Sequence, residues 1–473
     1  MQNTRSSYKW LALLTVSIGT FMATLDASIV NISLPRLSVV FDTEPSVVLW
    51  VTVAYLLVSV GLTLALGKVG DLFGRKKVYI IGLTVFTIGL VLCWISQSVV
   101  QLILSRIVQG VGAAMTAALS NAIVTDVFPN EERGKALGIL GAVVSAGLLS
   151  GPIIGGPLLD ALDWSSIFYV RVPVGIIGVI MALVLLKEQK AVSTEIRFDW
   201  AGTGILFGGL ACFLLFLNLG SKQGFTNIPI LALCFGAVVL LSLFIVIERR
   251  VSQPILDLGL FRSRIFASGV VSMGIMFLCI SANTFLAPFY LVHGLGRSYA
   301  QSGLLLAVVS STTIFVGPVS GWLSDKIGTR ILCTIGMTLI SLALFLLSRL
   351  GTESTTLEII FRFVILGFGL GLFSAPNNSS IMGSVPRENL STGSAMIATV
   401  RQVGMSSGIA IAGATFTWFT GDVPIDTLDA PLLVNAFQNS LLIAAIICSV
   451  AIITSWVRGR SKTQTLETTP SIG

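Results

Sequence analysis

The chain has 473 residues, of which 54% are hydrophobic and only 11% are charged, and its mean hydropathy is +0.93. Soluble domains carry about 25% charged residues, so this composition excludes a soluble globular protein and predicts an integral membrane protein. The net charge of +7 does not indicate nucleic-acid binding, because the Lys and Arg residues lie in short segments between long apolar runs, where they orient a membrane protein.

Apolar runs separated by polar segments predict fourteen membrane-spanning helices. An even number of spans places both chain ends on the same side of the membrane. Lys and Arg are concentrated in the segments on that side, whereas the opposite side carries only Arg36, Lys222, Arg297 and Arg349. This asymmetry predicts a multi-pass protein of the cell membrane with both termini in the cytoplasm. The runs begin near residues 10, 47, 78, 99, 136, 166, 199, 228, 266, 301, 331, 357, 396 and 437.

The first run contains a carboxylate, Asp26, within the sequence Leu25–Pro35. An ionisable group at this depth costs roughly 3 kcal/mol or more unless it faces protein or water, so it indicates a transport or proton site. Every other Asp and Glu lies in or near a predicted loop. Asp26 is therefore the candidate for proton coupling, and a purely structural ion pair is the alternative.

The fourth run carries Arg106, which lies at about the same depth as Asp26, roughly 12–14 Å from the outer end of its helix. Burial favours a protonated carboxyl and a nearby cation favours the ionised form, so Asp26 could alternate between the two states with Arg106 as its partner. Gln109 follows three residues later and shares the helix face of Arg106. We interpret it either as a hydrogen-bonding group of the same cavity or as a packing residue.

Two predicted loops repeat the pattern G-x-x-x-D-x-x-G-x-[KR], first at Gly67–Lys76 and again at Gly321–Arg330. Each copy follows the second span of a six-helix set. A parallel repeat of this kind is typical of a transporter with a cavity between its halves. The predicted units are an N-terminal six-helix bundle at residues 1–190, two linking transmembrane helices at 191–262, a C-terminal six-helix bundle at 263–460 and a cytoplasmic tail at 461–473.

We interpret the repeated loops as a conformational latch that locks one state of the protein. Orienting the chain in the membrane requires only cations, whereas the Asp and Gly positions are repeated as well. A solvated loop that only orients the chain is the alternative. The latch residues are Gly67, Asp71, Gly74, Arg75, Lys76, Asp325 and Arg330.

The fifth run contains glycines that recur every four residues and therefore align on one helix face, where they allow close contact with a neighbouring helix. A proline can bend the same span. We interpret the segment as a seam that controls access between the halves, with ordinary small-residue packing as the alternative. Its residues are Gly147, Gly151, Pro152, Gly155 and Gly156.

A substrate cavity would be lined by polar and aromatic side chains within the spans. Helix packing and an interfacial aromatic belt are the alternatives for these residues. The six cysteines lie in apolar runs without metal-ligand spacing, so neither a metal nor a cofactor is expected. The candidate cavity residues are Phe21, Met22, Asn31, Tyr55, Gln109 and Asn377.

Several of these stretches resemble the motifs of a known family. Gly67–Val78, with its copy at Gly321, closely resembles the signature of the major facilitator superfamily. Leu25–Pro35, Leu104–Gly112 and Gly147–Gly156 are similar to the first-, fourth- and fifth-helix motifs of the fourteen-helix drug:proton antiporters, the EmrB/QacA-like branch. The resemblance covers nearly the whole chain. It implies an all-α integral membrane protein with two six-helix bundles and two extra linking helices, and a transporter, not an enzyme.

The sixth run departs from the pattern of that family. It has Arg171 where the family more often has Asn, and the C-terminal half offers no deep carboxylate of its own. Both points leave the substrate class open. A lone carboxylate suits few dicationic compounds, so we expect neutral or monocationic substrates.

Together, these features predict a proton-coupled multidrug efflux antiporter that exports amphipathic small molecules by alternating access. An exporter or importer of one metabolite is the alternative within transport, and a membrane sensor or scaffold that moves no ligand is the alternative from another class. The expected partners are protons, small amphipathic substrates and the lipid bilayer. We expect a monomer that binds no nucleic acid, with an adaptor protein only in a host with two membranes.

Overall fold

The computed structural model describes residues 2–43, 45–187, 199–251, 254–421 and 429–458 of the chain. Within these ranges it does not describe the side chains of residues 2–7, 32, 35, 45, 46, 152, 160, 221–223, 299 and 300.

Every regular element in these ranges is helical, and fourteen helices are long and apolar enough to cross a membrane. The fourteen predicted spans are therefore confirmed. The sixth span includes a short helical turn, Ser166–Tyr169, before its main helix, and the ninth continues into a π-helical turn, Tyr290–Gly294. The helices are α1 Gln2–Val40, α2 Trp50–Phe73, α3 Arg75–Trp94, α4 Val99–Val127, α5 Arg133–Ala161, α6 Val172–Leu185, α7 Trp200–Gln223, α8 Ile228–Glu248, α9 Arg264–Phe289, α10 Tyr299–Ile327, α11 Thr329–Leu347, α12 Thr356–Gly383, α13 Leu390–Thr420 and α14 Ala430–Val457.

The second glycine of each repeated motif ends one helix and begins the next. Gly74 separates α2 from α3 with a φ of 98°, and Gly328 separates α10 from α11 with a φ of 87°. Residues with side chains rarely adopt this left-handed region, so both turns require glycine. The repeated Gly in the sequence pattern thus has a direct conformational cause.

The helices form two six-helix halves, α1–α6 and α9–α14, with α7 and α8 packed against each other beside them. The halves meet where α5 packs on α10 and α12, and where α13 packs on α2 and α4. Helix α7 also contacts α2 and α13. We call the end of the bundle where α1 begins and α14 ends the terminal face, and the opposite end the distal face. The predicted domain boundaries at 190/191 and 460/461 lie outside the described residues.

Small residues bring the two halves together where α5 crosses α10. A Cβ atom added to Gly138 would lie 2.6 Å from the carbonyl oxygen of Gly317 and 3.0 Å from Cα of Pro318. Both atoms belong to backbone, which cannot move aside as a flexible side chain can. The same face of α5 brings Gly134 against the backbone of Gly321. The crossing therefore depends on the absence of side chains at these positions.

We predict that Gly138→Ala destabilises the protein in detergent by about 1–3 kcal/mol, because the added methyl group overpacks the crossing. Thermal unfolding of the purified protein measures this change. Gly141→Ala is the matched control, since a Cβ atom at Gly141 meets nothing within 4 Å. Alanine is the better helix former, so Gly141→Ala should leave the midpoint unchanged or slightly higher. Equal destabilisation by both variants would contradict the proposed close contact.

Candidate functional site

A fully buried ionic cluster lies within the N-terminal half. Asp26 of α1 has no solvent-exposed surface. Its Oδ2 accepts a hydrogen bond from Nη1 of Arg106 at 2.6 Å, and its Oδ1 accepts from Nη1 of Arg171 at 2.5 Å and from Nε2 of Gln109 at 2.9 Å. The structure therefore brings the predicted pair, Asp26 and Arg106, into direct contact and adds a second arginine.

Helix α4 supplies Arg106, whose guanidinium group makes several hydrogen bonds and one aromatic contact. Its Nε donates to the carbonyl oxygen of Val51 at 3.1 Å, and its Nη1 also donates to Oε1 of Gln109 at 2.6 Å. The guanidinium carbon lies 4.1 Å from the centre of the Tyr55 ring, within the range of a cation–π interaction. Val51 and Tyr55 belong to α2, so the cluster joins α1, α2 and α4.

Arg171 lies just before α6 and gives the cluster an excess of positive charge. Its Nε donates to the carbonyl oxygen of Ile167 at 2.5 Å, and its Nη2 is buried without a hydrogen-bond partner among the described residues. One carboxylate thus faces two guanidinium groups. In the sequence, Arg171 is visible only as a departure from a family pattern. Its position inside an apolar run was the available indication of its role.

A cluster of this kind responds strongly to protonation of its carboxylate. Removing one partner of a buried ion pair leaves an uncompensated charge, which costs about 3–5 kcal/mol. Protonation of Asp26 would leave two buried guanidinium groups without a counter-charge. The arrangement can therefore couple proton binding to separation of the helices that it joins.

A second site joins the two halves at the terminal face. Asp71, near the end of α2, accepts hydrogen bonds from the backbone N–H groups of Ser391 and Thr392, both at 3.1 Å. These groups lie in the first turn of α13, where a helix has unpaired donors and a partial positive charge. Asp71 also accepts from Nη2 of Arg75 at 3.0 Å, and the same nitrogen donates to the carbonyl oxygen of Arg387 at 2.5 Å.

The second copy of the motif makes the reciprocal contact. Asp325, near the end of α10, accepts hydrogen bonds from the backbone N–H groups of Gly134 at 2.9 Å and Lys135 at 3.1 Å. These residues begin α5. Each half therefore places a carboxylate on the first turn of a helix in the other half. We call Asp71 and Asp325 the two interhelical caps.

The other predicted latch residues divide into two groups. Gly67 lies at the α2–α13 contact, where a Cβ atom would be 2.7 Å from Cβ of Ala395. Lys76 donates instead to the carbonyl oxygen of Leu183 at 3.1 Å, within its own half. The guanidinium carbon of Arg330 lies 4.2 Å from the centre of the Trp456 ring. Of the three predicted latch cations, Arg75 is the one that bonds across the interface.

The predicted seam on α5 faces α1 of the same half. Gly147, Gly151 and Gly155 pack against Thr24, Ser28 and Ile29 of α1, whereas a Cβ atom at Gly156 would meet nothing within 4 Å. The side chain of Pro152 lies outside the described residues. Contacts between the halves come from Gly134 and Gly138, earlier on the same helix.

The candidate cavity residues fall in different places. Tyr55 and Gln109 belong to the ionic cluster, and Met22 is buried beside it. Phe21 is half-buried, and Asn31 is exposed and accepts from Oγ1 of Thr52 at 3.4 Å. These five residues are all in the N-terminal half.

Asn377 belongs to a cavity in the C-terminal half. The cavity lies between α9, α12 and α13. The side chain of Asn377 donates to the carbonyl oxygen of Gly269 at 3.2 Å and accepts from Arg458. Arg401 of α13 lines the same cavity. Arg401 is not among the site residues predicted from the sequence, although the rule that selects Asp26, an ionisable group inside an apolar run, applies to it as well.

The chain is similar in sequence and fold to membrane transporters. It matches the model of the Major Facilitator Superfamily over residues 16–409 and 265–472. It is 35% identical to the riboflavin transporter RibZ of Clostridioides difficile, over 94% of this chain and 96% of RibZ. It is 30% identical to the multidrug resistance protein Stp of Mycobacterium tuberculosis, over 85% of this chain and 75% of Stp. The proton:xylose symporter XylE shares its fold with a TM-score of 0.66, at 16% identity over 96% of this chain and 97% of XylE.

We predict that Asp71→Asn opens the terminal face. Loss of a charged acceptor for buried N–H groups costs about 1.5–3 kcal/mol, which shifts a two-state equilibrium by roughly 10- to 100-fold. A cysteine introduced at Ala395, which is fully buried at the α2–α13 contact, reports this opening through its rate of alkylation.

Glu131→Gln is the control for this experiment, because Glu131 is an exposed acid at the same face. It should leave the alkylation rate unchanged. Asp325→Asn, at the reciprocal cap, should act in the same direction as Asp71→Asn. An unchanged rate in both cap variants would show that the caps do not hold this face closed.

Proposed function

Because this chain belongs to the major facilitator superfamily of membrane transporters, we propose that it is a proton-coupled antiporter that exports amphipathic small molecules. We place it in the fourteen-helix EmrB/QacA-like branch. The observation that carries the proposal is the buried cluster in which Asp26, fully enclosed, is held by Arg106 and Arg171. Intramembrane acids of this kind mark proton and substrate sites.

Asp26 takes up and releases the transported proton in this mechanism. The ionised carboxylate holds α1 and α4 to the segment before α6. Protonation removes the counter-charge of Arg106 and Arg171 and loosens these contacts. The change in packing favours a different arrangement of the halves, and the population of the two states shifts accordingly. Proton entry is thereby linked to substrate release.

The two interhelical caps set which face of the protein is closed. In the proposal the terminal face is cytoplasmic and the protein lies in the cell membrane, as the distribution of Lys and Arg indicates. Contacts of Asp71 with α13 and of Asp325 with α5 favour the state closed toward the cytoplasm. The state open to the cytoplasm requires both caps to separate. In this open state the protein binds its substrate from the cytoplasm. It acts as a monomer, with an adaptor protein only in a host with two membranes.

Transport of one metabolite is a second candidate, because RibZ, a riboflavin transporter, is 35% identical over 94% of the chain. The multidrug resistance protein Stp, at 30% identity, favours drug export instead. The same buried cluster around Asp26 can couple protons to the transport of a metabolite or of drugs. A panel that contains riboflavin beside unrelated amphipathic compounds separates the two candidates, since a metabolite transporter responds to one compound and a multidrug exporter to several.

We predict that substrate addition dissipates the pH gradient of everted vesicles with wild-type protein but not with Asp26→Asn, because the amide cannot exchange a proton. The fluorescence of a pH-sensitive dye measures the gradient. Asp42→Asn is the matched control: Asp42 is exposed at the distal end of α1 and has a φ of 44°, which Asn tolerates. It should behave as wild type.

Asp26→Glu tests whether the titratable group itself is required. It keeps a carboxyl group and should retain part of the response, provided that all variants reach the membrane in equal amounts. A full response in Asp26→Asn would remove Asp26 from the coupling mechanism. A sensor or scaffold would give no response with any compound in any variant.

A further inference from the structure

The cavity between α9, α12 and α13 combines an apolar wall with a cluster of polar groups. Met273, Phe277 and Phe373 contribute apolar surface, and Ser374, Asn378 and Arg401 contribute hydrogen-bonding groups. Ligand sites typically have this composition, with a few polar groups that orient a ligand against an apolar lining. Helix α13, which carries Arg401, also packs on α2 and α4 of the other half. The cavity therefore lies beside the interface that must rearrange in alternating access.

Arg401 lines this cavity without a counter-charge from any described residue. It lies 11 residues after the start of α13 at Leu390, about 16 Å along the helix. In the described part of the chain it has no hydrogen bond or ion pair. A guanidinium within a membrane span otherwise pairs with protein groups, as Arg106 does with Asp26. Arg401 faces the cavity instead, where a ligand can reach it.

Among the described residues, the surroundings of the cavity add positive charge and no negative charge. None of the residues that line it is acidic. Behind Asn377 lies Arg458, which is 1% exposed and donates to Asn377 and to Sγ of Cys333. Arg458 has no ion pair with any carboxylate that the structure describes. A cationic ligand in this cavity would meet the guanidinium group of Arg401, with no opposing acid among the described residues that line it.

We propose that this cavity binds the anionic group of an amphipathic organic anion, such as a carboxylate or a sulfonate, with Arg401 as its direct partner. The ring or chain of the ligand lies on the apolar wall. The inference rests on the proposed function and specifies the charge of its substrates. It replaces the expectation of neutral or monocationic substrates, which followed from Asp26 alone. Asp26 is held by two arginines and does not face this cavity.

The test compares ligands that share one ring system and differ in charge. Naphthoate is the anion, naphthamide the neutral analogue and naphthylmethylammonium the cation. Binding to the purified full-length protein in low-chloride detergent solution is measured by titration calorimetry. We expect naphthoate to bind at least about tenfold more tightly than the cation, because charge-assisted hydrogen bonds stabilise the anion alone.

Variants assign this preference to Arg401. Arg401→Gln should weaken naphthoate binding about tenfold or more and change naphthamide binding less than about twofold, since only the anion uses the charge. Arg401→Lys should retain an intermediate affinity, because it keeps a cation without the planar donors of arginine. Arg349→Gln is the matched control, since Arg349 is exposed at the distal end of α11. Unfolding midpoints close to wild type show that the variants are folded.

Three results would overturn the proposal. Naphthoate binding that is absent, or no tighter than binding of the cation, would remove the preference for anions. An equal loss for all three ligands in Arg401→Gln would assign Arg401 a structural role. Acetate binding as tight as naphthoate binding would assign a plain anion site without an apolar contribution. Binding is measured without a proton gradient, so failure of antiport in vesicles and failure of this inference are separate outcomes.

Discussion

Unpaired N–H groups at the start of a helix need hydrogen-bond acceptors, and in this protein two helices obtain them from the opposite half. Asp71 serves α13 and Asp325 serves α5. The two halves are therefore joined at the terminal face by a small number of directional bonds in addition to packing. Such contacts can break completely and form again in the same geometry, as a switch between two states requires.

Helix α5 connects one of the caps, Asp325, with the part of α1 that carries the buried acid. Its first turn is held by Asp325, and its middle packs through Gly147 and Gly151 against Thr24 and Ser28 of α1. These two α1 residues flank Asp26 on either side in sequence. In the proposed mechanism, a shift of α1 on protonation of Asp26 would thus act directly on α5, whose first turn is bound by Asp325 at the terminal face. This contiguity gives the proposed coupling a physical route, since the glycines allow close contact between the two helices.

Sequence alone predicted the fourteen spans and the proximity of Asp26 and Arg106, because hydropathy and residue count determine which groups share a depth. The sequence did not predict the partners of Asp71 and Asp325. Every helix start has free backbone N–H groups, and nothing in the sequence indicates which distant side chain will accept hydrogen bonds from them. Arg171 and Arg401 were not predicted as site residues, for a different reason. Arginine has a long side chain that often reaches the interface from within a span, so its position in an apolar run is less diagnostic than that of a carboxylate.

The guanidinium of Arg401, which has no partner among the described residues, has a consequence for the energetics of the proposed export. When a monoanion leaves the cell and one proton enters, two units of charge cross the membrane in the same electrical sense. A membrane potential contributes about 2.3 kcal/mol per unit charge per 100 mV, so it drives both movements at once. Exchange of a proton for a neutral molecule moves one charge, and exchange for a monocation moves none. In the proposed antiport, the charge of the substrate that Arg401 selects therefore determines how steeply transport depends on voltage.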